Sequence, residues 1–149
     1  MTETEETVLV RELGKLAGFF GGGFGARFAA RRLPVEESEA SLGVPGRCIE
    51  IRNDLSLILQ SVGKLTDEFA SEIPGDSLSA LIGSGHMNLN PTIVHVRIVE
   101  KSDGSTLLLF RALAKEGLVK QRSAERAIER ITALVSSRYA EQALGADSP

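Results

Sequence analysis

Hydrophobic and polar positions follow two different periods along this chain, and the clearest stretch runs from Thr92 to Lys115. Two runs rich in β-branched, leucine and aromatic residues flank Asp103-Gly104, the strongest short-range signal for a β-hairpin. Parity sets the register, because slipping one strand by a single residue turns every side chain to the opposite face. A two-residue loop would set Val96 opposite Arg111, a charge among valines. A three-residue loop, Ser102-Asp103-Gly104 with Gly104 in the left-handed conformation, instead sets Val96 opposite Phe110, Ile98 opposite Leu108 and Val94 opposite Ala112. One face of the hairpin is then wholly apolar. The other mixes His95, Arg97 and Arg111 with Ile93, Val99, Leu107 and Leu109.

The same reading predicts the neighbouring elements. Arg47 to Arg52 alternates Cys48 and Glu50 with Ile49 and Ile51, which predicts a first strand. Asn53 or Asp54 can cap a helix whose stripe is Leu55, Ile58, Leu59, Val62, Leu65 and Phe69, stopped by Pro74-Gly75. Gly63 within it is read as allowing close approach to the sheet. Leu78, Ala80 and Ile82 alternate with Ser77, Ser79 and Leu81 and predict a short second strand. Glu116-Gly117 then breaks the extended run. A second helix follows with Ser123 as N-cap and Ala124, Ala127, Ile128, Ile131, Leu134 and Val135 as its apolar stripe. The expected fold class is α+β: a small antiparallel sheet, element order β-α-β-β-β-α over residues 47–143, with both amphipathic helices on its apolar face. The second face still needs a cover, because a soluble monomer rarely leaves a large contiguous apolar patch bare. A second subunit, the N-terminal segment folded back, or a ligand would each serve.

In front of this domain the pattern changes. Residues 1–7 are acidic and expected to be disordered, residues 34–46 read as an acidic linker between prolines, and residues 144–149 as a polar tail. Between them, residues 8–33 interleave Gly14, Gly18, Gly22, Gly21 and Gly25 with Phe19, Phe20, Phe24 and Phe28. Each glycine costs a helix about 1 kcal/mol relative to alanine, so a helix here needs a partner surface. That surface is another helix or a membrane interface, and the stretch is expected to be an interaction segment. Gly21, Gly23 and Ala26 have the spacing of a dinucleotide fingerprint, but no β-branched strand precedes them, and no Gly-Lys-Ser/Thr follows to make a P-loop.

Composition adds limits. With 149 residues, 42 % hydrophobic and 25 % charged, the chain has the length and balance of one ordinary domain. A net charge of −3 gives no reason to expect nucleic acid as a partner. The lone Cys48 excludes an internal disulfide, and the acidic start lacks a secretory n-region. A cytoplasmic protein is expected, with membrane contact limited to the surface through residues 8–33 and Arg27, Arg31 and Arg32.

Candidate chemistry is sparse. His86 sits in a polar loop with Asn88 and Asn90, a candidate ligand loop; His95 shares the second sheet face with Arg97 and Arg111. Neither histidine has a cysteine or carboxylate at metal-ligand spacing, and no Gly-x-Ser-x-Gly elbow nominates a serine. No enzyme, cofactor or metal is expected. The pattern points to a small non-enzymatic interaction or self-assembly module. Its candidate interface combines the four phenylalanines with Ile93, His95, Arg97, Val99, Leu107, Leu109 and Arg111. The layout is also loosely similar to helix-grip folds, though no motif carries that similarity. It implies an apolar small-molecule or lipid carrier with a cavity lined by Phe110, Ile131 and Leu134.

Overall fold

The chain runs α1 (Glu3–Phe19), β1 (Val35–Val44), α2 (Cys48–Val62), β2 (Gly63–Leu65), β3 (Ser77–Ser84), β4 (Asn90–Glu100), β5 (Thr106–Lys115) and α3 (Ser123–Ala146). This is seen in a computed structural model that describes residues 1–19, 29–117 and 119–146. The strands form one five-stranded antiparallel sheet in the order β1-β5-β4-β3-β2, and the chain is a small α+β fold.

The β4–β5 hairpin has the register that parity demands: Val94 pairs with Ala112, Val96 with Phe110 and Ile98 with Leu108. Its loop is closed by the Lys101 amide donating to the Ser105 carbonyl at 2.8 Å, and Gly104 adopts φ +81°, a region where a Cβ would be strained. The apolar face meets two helices. Ile51, Leu55 and Leu59 of α2 and Ala127, Ile131 and Val135 of α3 pack with Val94, Val96 and Phe110 in one core, each at most 2 % exposed. At about 1.5–3 kcal/mol per large apolar side chain buried, this layer dominates the stability of the fold.

Several expectations are corrected. Residues 47–52 are the N-cap Arg47 and first turn of α2 rather than a strand, because Cys48, Ile51, Leu55 and Leu59 continue one helical stripe that outweighs a short alternation. Residues 34–46 are no linker: Val35–Val44 pairs with β5 along ten residues. Glu37 and Glu39 are tolerated because they point away from the core, and Glu36, on the core side, accepts from the Ala124 amide at the start of α3. Residues 1–7 are not disordered, since α1 begins at Glu3. The helix predicted to reach Phe69 stops at Val62. Gly63 starts β2 so close to β3 that a Cβ there would lie 2.3 Å from the Leu81 carbonyl oxygen. Close approach at Gly63 holds, but it ends the helix instead of sitting inside it. Phe69 consequently turns to the second face, and the folded body includes residues 3–19 and 35–44 as well as 47–143.

Candidate functional site

The second face carries odd-numbered residues in rows: Leu81-Ile93-Leu113-Glu37, then Ser79-His95-Arg111-Glu39, then Ser77-Arg97-Leu109-Ser41, then Val99-Leu107-Gly43. It divides into two halves.

The first half is covered from within the chain. Val8 and Leu9 of α1 and Phe69 pack with Ile93 and Leu113, and all five side chains are at most 1 % exposed. Thr2 and Glu5 make α1 a self-capped helix: the Thr2 Oγ1 accepts from the Glu5 amide at 3.2 Å and the Glu5 carboxylate accepts from the Thr2 amide at 2.7 Å. That same carboxylate, 3 % exposed, clamps the helix to the sheet. Its Oε1 lies 3.0 Å from His95 Nε2 and accepts from Arg111 Nη1 at 2.7 Å. Arg111 Nε donates to Glu37 at 2.6 Å, and the Ser79 hydroxyl meets His95 Nδ1 at 2.8 Å. The Phe69 ring stands edge-on to the imidazole at a centroid distance of 4.9 Å. Further along, Lys115, with its side chain 1 % exposed, donates to Glu6 at 2.9 Å and to the Arg31 carbonyl at 3.1 Å.

Charge states follow from these contacts. Burial pushes His95 below the ordinary histidine value, outweighing the pull of Glu5 in the other direction. Burial alone would raise Glu5, but the Thr2 amide, Arg111 and His95 together hold it below the usual carboxylate range. A neutral imidazole donating from Nε2 to an ionised Glu5 and accepting from Ser79 at Nδ1 satisfies every partner.

Hydroxyl, imidazole and carboxylate in line have the order of a nucleophilic relay. Their contacts join α1 to the sheet. Ser79 is 8 % exposed and does not line the adjacent cleft, and Glu5 is shared with Arg111 in a charge cluster instead of serving the imidazole alone. Among the described residues no group of three or more His, Cys, Asp or Glu side chains is placed to hold a metal.

The second half is open. Val99, Leu107 and Leu109 are half-buried, Arg97 is exposed, and among the described residues Arg97 has no ion pair or hydrogen-bond partner. Here a cleft of about 590 Å³ lies between the 72–74 segment and β1, with His95, Arg97, Leu109 and Arg111 on its floor and Glu39, Ala40 and Ser41 on its β1 side.

Beyond that cleft is the end of the sheet. The Glu116 amide donates to the Pro34 carbonyl at 2.9 Å, so in this stretch the even-numbered residues turn their backbone groups toward β5. Val35, Glu37, Glu39, Ser41 and Gly43 therefore aim their N–H and C=O groups outward, where no described residue bonds to them. At the foot of the strand, Glu36 accepts from the Ala124 amide at 2.8 Å, while Glu116 accepts from Gln121 and Ser123 amides at 3.0 and 2.8 Å. These two carboxyls also bond each other. Burial and the neighbouring Glu116 raise Glu36 above the ordinary carboxylate value, whereas for Glu116 burial is outweighed by the Ser123 amide, Glu36 and the Gln121 amide, which hold it below that value.

Of the residues expected at the interface, Ile93, His95 and Arg111 are thus engaged by α1, whereas Arg97, Val99, Leu107 and Leu109 belong to the open half. Phe20, Phe24, Phe28 and the side chain of Phe19 lie outside the described residues, as does the side chain of His86. In the expected ligand loop, Asn90 donates to the Lys115 carbonyl at 3.1 Å and to Ser123 Oγ at 2.8 Å, tying the loop to α3. Asn88 is exposed with φ +55°. Phe110 and Ile131 are packed in the core and Leu134 is 39 % exposed, so these three do not line a common cavity. Val8, Leu9 and Val10 are buried and not free to enter a bilayer. Among the described residues no helix is long and apolar enough to cross a membrane. No protein-family model matches the chain, and no curated protein matches it.

Sequence reasoning missed Glu5, Ser79, Glu37 and Phe69. For Glu5 a signal existed: Thr2-x-x-Glu5 ahead of Val8-Leu9-Val10 is a capping-box pattern before an apolar run.

Proposed function

We propose that the chain is a small cytoplasmic, non-enzymatic module that self-associates. The observation that carries this reading is the outer edge of β1: a strand of ten residues, last in the sheet, whose outward amides and carbonyls have no partner among the described residues. A row of unpaired backbone groups is a template for another strand. Proteins commonly blunt such edges by shortening them, and this molecule does so at its other end, where β2 has three residues. The open half of the second face adds apolar surface next to the same edge. His95 supports the non-enzymatic part: its imidazole is committed to the α1 clamp through Glu5, and its hydroxyl partner Ser79 does not line the cleft.

Size-exclusion chromatography with light scattering on the full chain tests the reading. A dimer is expected, and Ser41→Pro is expected to return it to monomer. Position 41 turns its N–H outward, so proline removes a bond to a partner and none to β5. Circular dichroism checks that the variant stays folded. A wild-type chain that is monomeric throughout the micromolar range would sink the proposal.

A further inference from the structure

The outward edge of β1 also dictates how a second copy would meet it. We infer that two copies pair β1 with β1, antiparallel, about a two-fold axis through Ala40, merging two five-stranded sheets into one and joining the two second-face clefts into a single trough. This inference rests on the self-association reading and gives it a geometry.

Outward backbone groups belong to odd-numbered residues, so an antiparallel ladder must oppose odd residues to odd residues. The glutamates then choose among the permitted registers. Centring on Glu39 sets that carboxylate against its own copy, and centring on Ser38 sets Glu37 against Glu39; like charges directly opposite are destabilising. Centring on Ser41 shortens the ladder and runs Glu37 into Pro45, which has no N–H to give. Centring on Ala40 escapes both problems. Glu36 then faces Val44, Glu37 faces Gly43, and Glu39 faces Ser41, so the acidic half of each strand meets the small, uncharged half of its copy.

Two consequences follow. The assembly closes, because a two-fold contact uses the same patch on both copies and leaves only the short β2 edges at its ends. The axis also stands normal to the sheet, so both second faces look the same way. Glu39, Ala40 and Ser41 form the β1 side of each cleft, and the partner's Glu39 and Ser41 would continue that floor. Each cleft is incomplete without the other copy.

Cysteine pairing in the full chain, with Cys48→Ala to remove the native thiol, tests the register. Ala40 meets Ala40 in a non-hydrogen-bonded pair with Cα atoms about 4.5 Å apart, within disulfide reach, so Ala40→Cys is expected to give a covalent dimer on mild oxidation. Ser38→Cys and Leu42→Cys should each stay unlinked alone and link when mixed, because Ser38 faces Leu42 of the copy. A dimer by light scattering that forms no Ala40→Cys link, or that links Ser38→Cys to itself, overturns this register and leaves self-association standing. A chain that is monomeric by light scattering removes both.

Discussion

The two halves of the second sheet face have similar floors and different covers. Each sets apolar side chains beside a cation: Ile93 and Leu113 near Arg111 and Lys115 in one, Val99, Leu107 and Leu109 near Arg97 in the other. Only the first is matched by an acidic amphipathic helix, whose Val8 and Leu9 meet the apolar strip while Glu5 and Glu6 meet the cations. The difference lies in the covering segment. A helix seated on this face must offer apolar residues and carboxylates in the same few turns, and α1 does so because its capping glutamate points down at the sheet.

The contrast can be broken from either side. The largest effect belongs to Leu9→Ala, which empties a fully buried site and should cost about 3 kcal/mol, seen as a fall of roughly 6–12 °C in Tm. Leu109→Ala in the open half should stay within about 1 kcal/mol in the same thermal melts, and an equal loss at both positions would erase the distinction. Next comes Glu5→Ala, which leaves Arg111 and His95 without their shared carboxylate and should cost about 2 kcal/mol by urea denaturation. Hydrogen exchange should show α1 losing protection before the core strands do.

The pH response is smaller and has a definite sign. Folded His95 titrates below the unfolded value of about 6.5, so as pH falls through that value the unfolded chain takes up a proton that the folded chain refuses. Stability is full above this range and declines below it. Glu5, held ionised in the fold, adds a further decline as pH drops below the ordinary carboxylate range. Urea midpoints at neutral and mildly acidic pH measure the slope, and His95→Gln should flatten its upper part. The smallest effect is Arg97→Ala, within about 0.5 kcal/mol of wild type, since it removes an exposed guanidinium without a described partner.

What the sequence made legible was whatever a local period could carry. The β4–β5 register followed from parity alone, down to the three-residue loop and the left-handed Gly104, because one wrong step would have buried Arg111. The α3 stripe, apart from the exposed Leu134, and the helix-covered face were legible for the same reason. Strand β1 was not, since its identity depends on β5: Glu36, Glu37 and Glu39 look solvated until Glu116, Ala124 and Arg111 are brought to two of them. Phe69 kept helical spacing in sequence yet belongs to the other face, because Gly63 ends the helix only through its contact with Leu81 and Ile82. Glu5 was missed although its capping pattern is local. The acidic composition of residues 1–7 reads as solvated and masks the cap.

The α1 clamp has a consequence in time. Glu5 is separated from His95 by 90 residues and from Arg111 by 106. A ribosome releases α1 well before β5, and such long loops must close before the contact yields anything. The helix can form early from its own cap, but its seat exists only once the hairpin has folded. A helix synthesised before its seat is placed after it, and Ile93 and Leu113 stay uncovered until then.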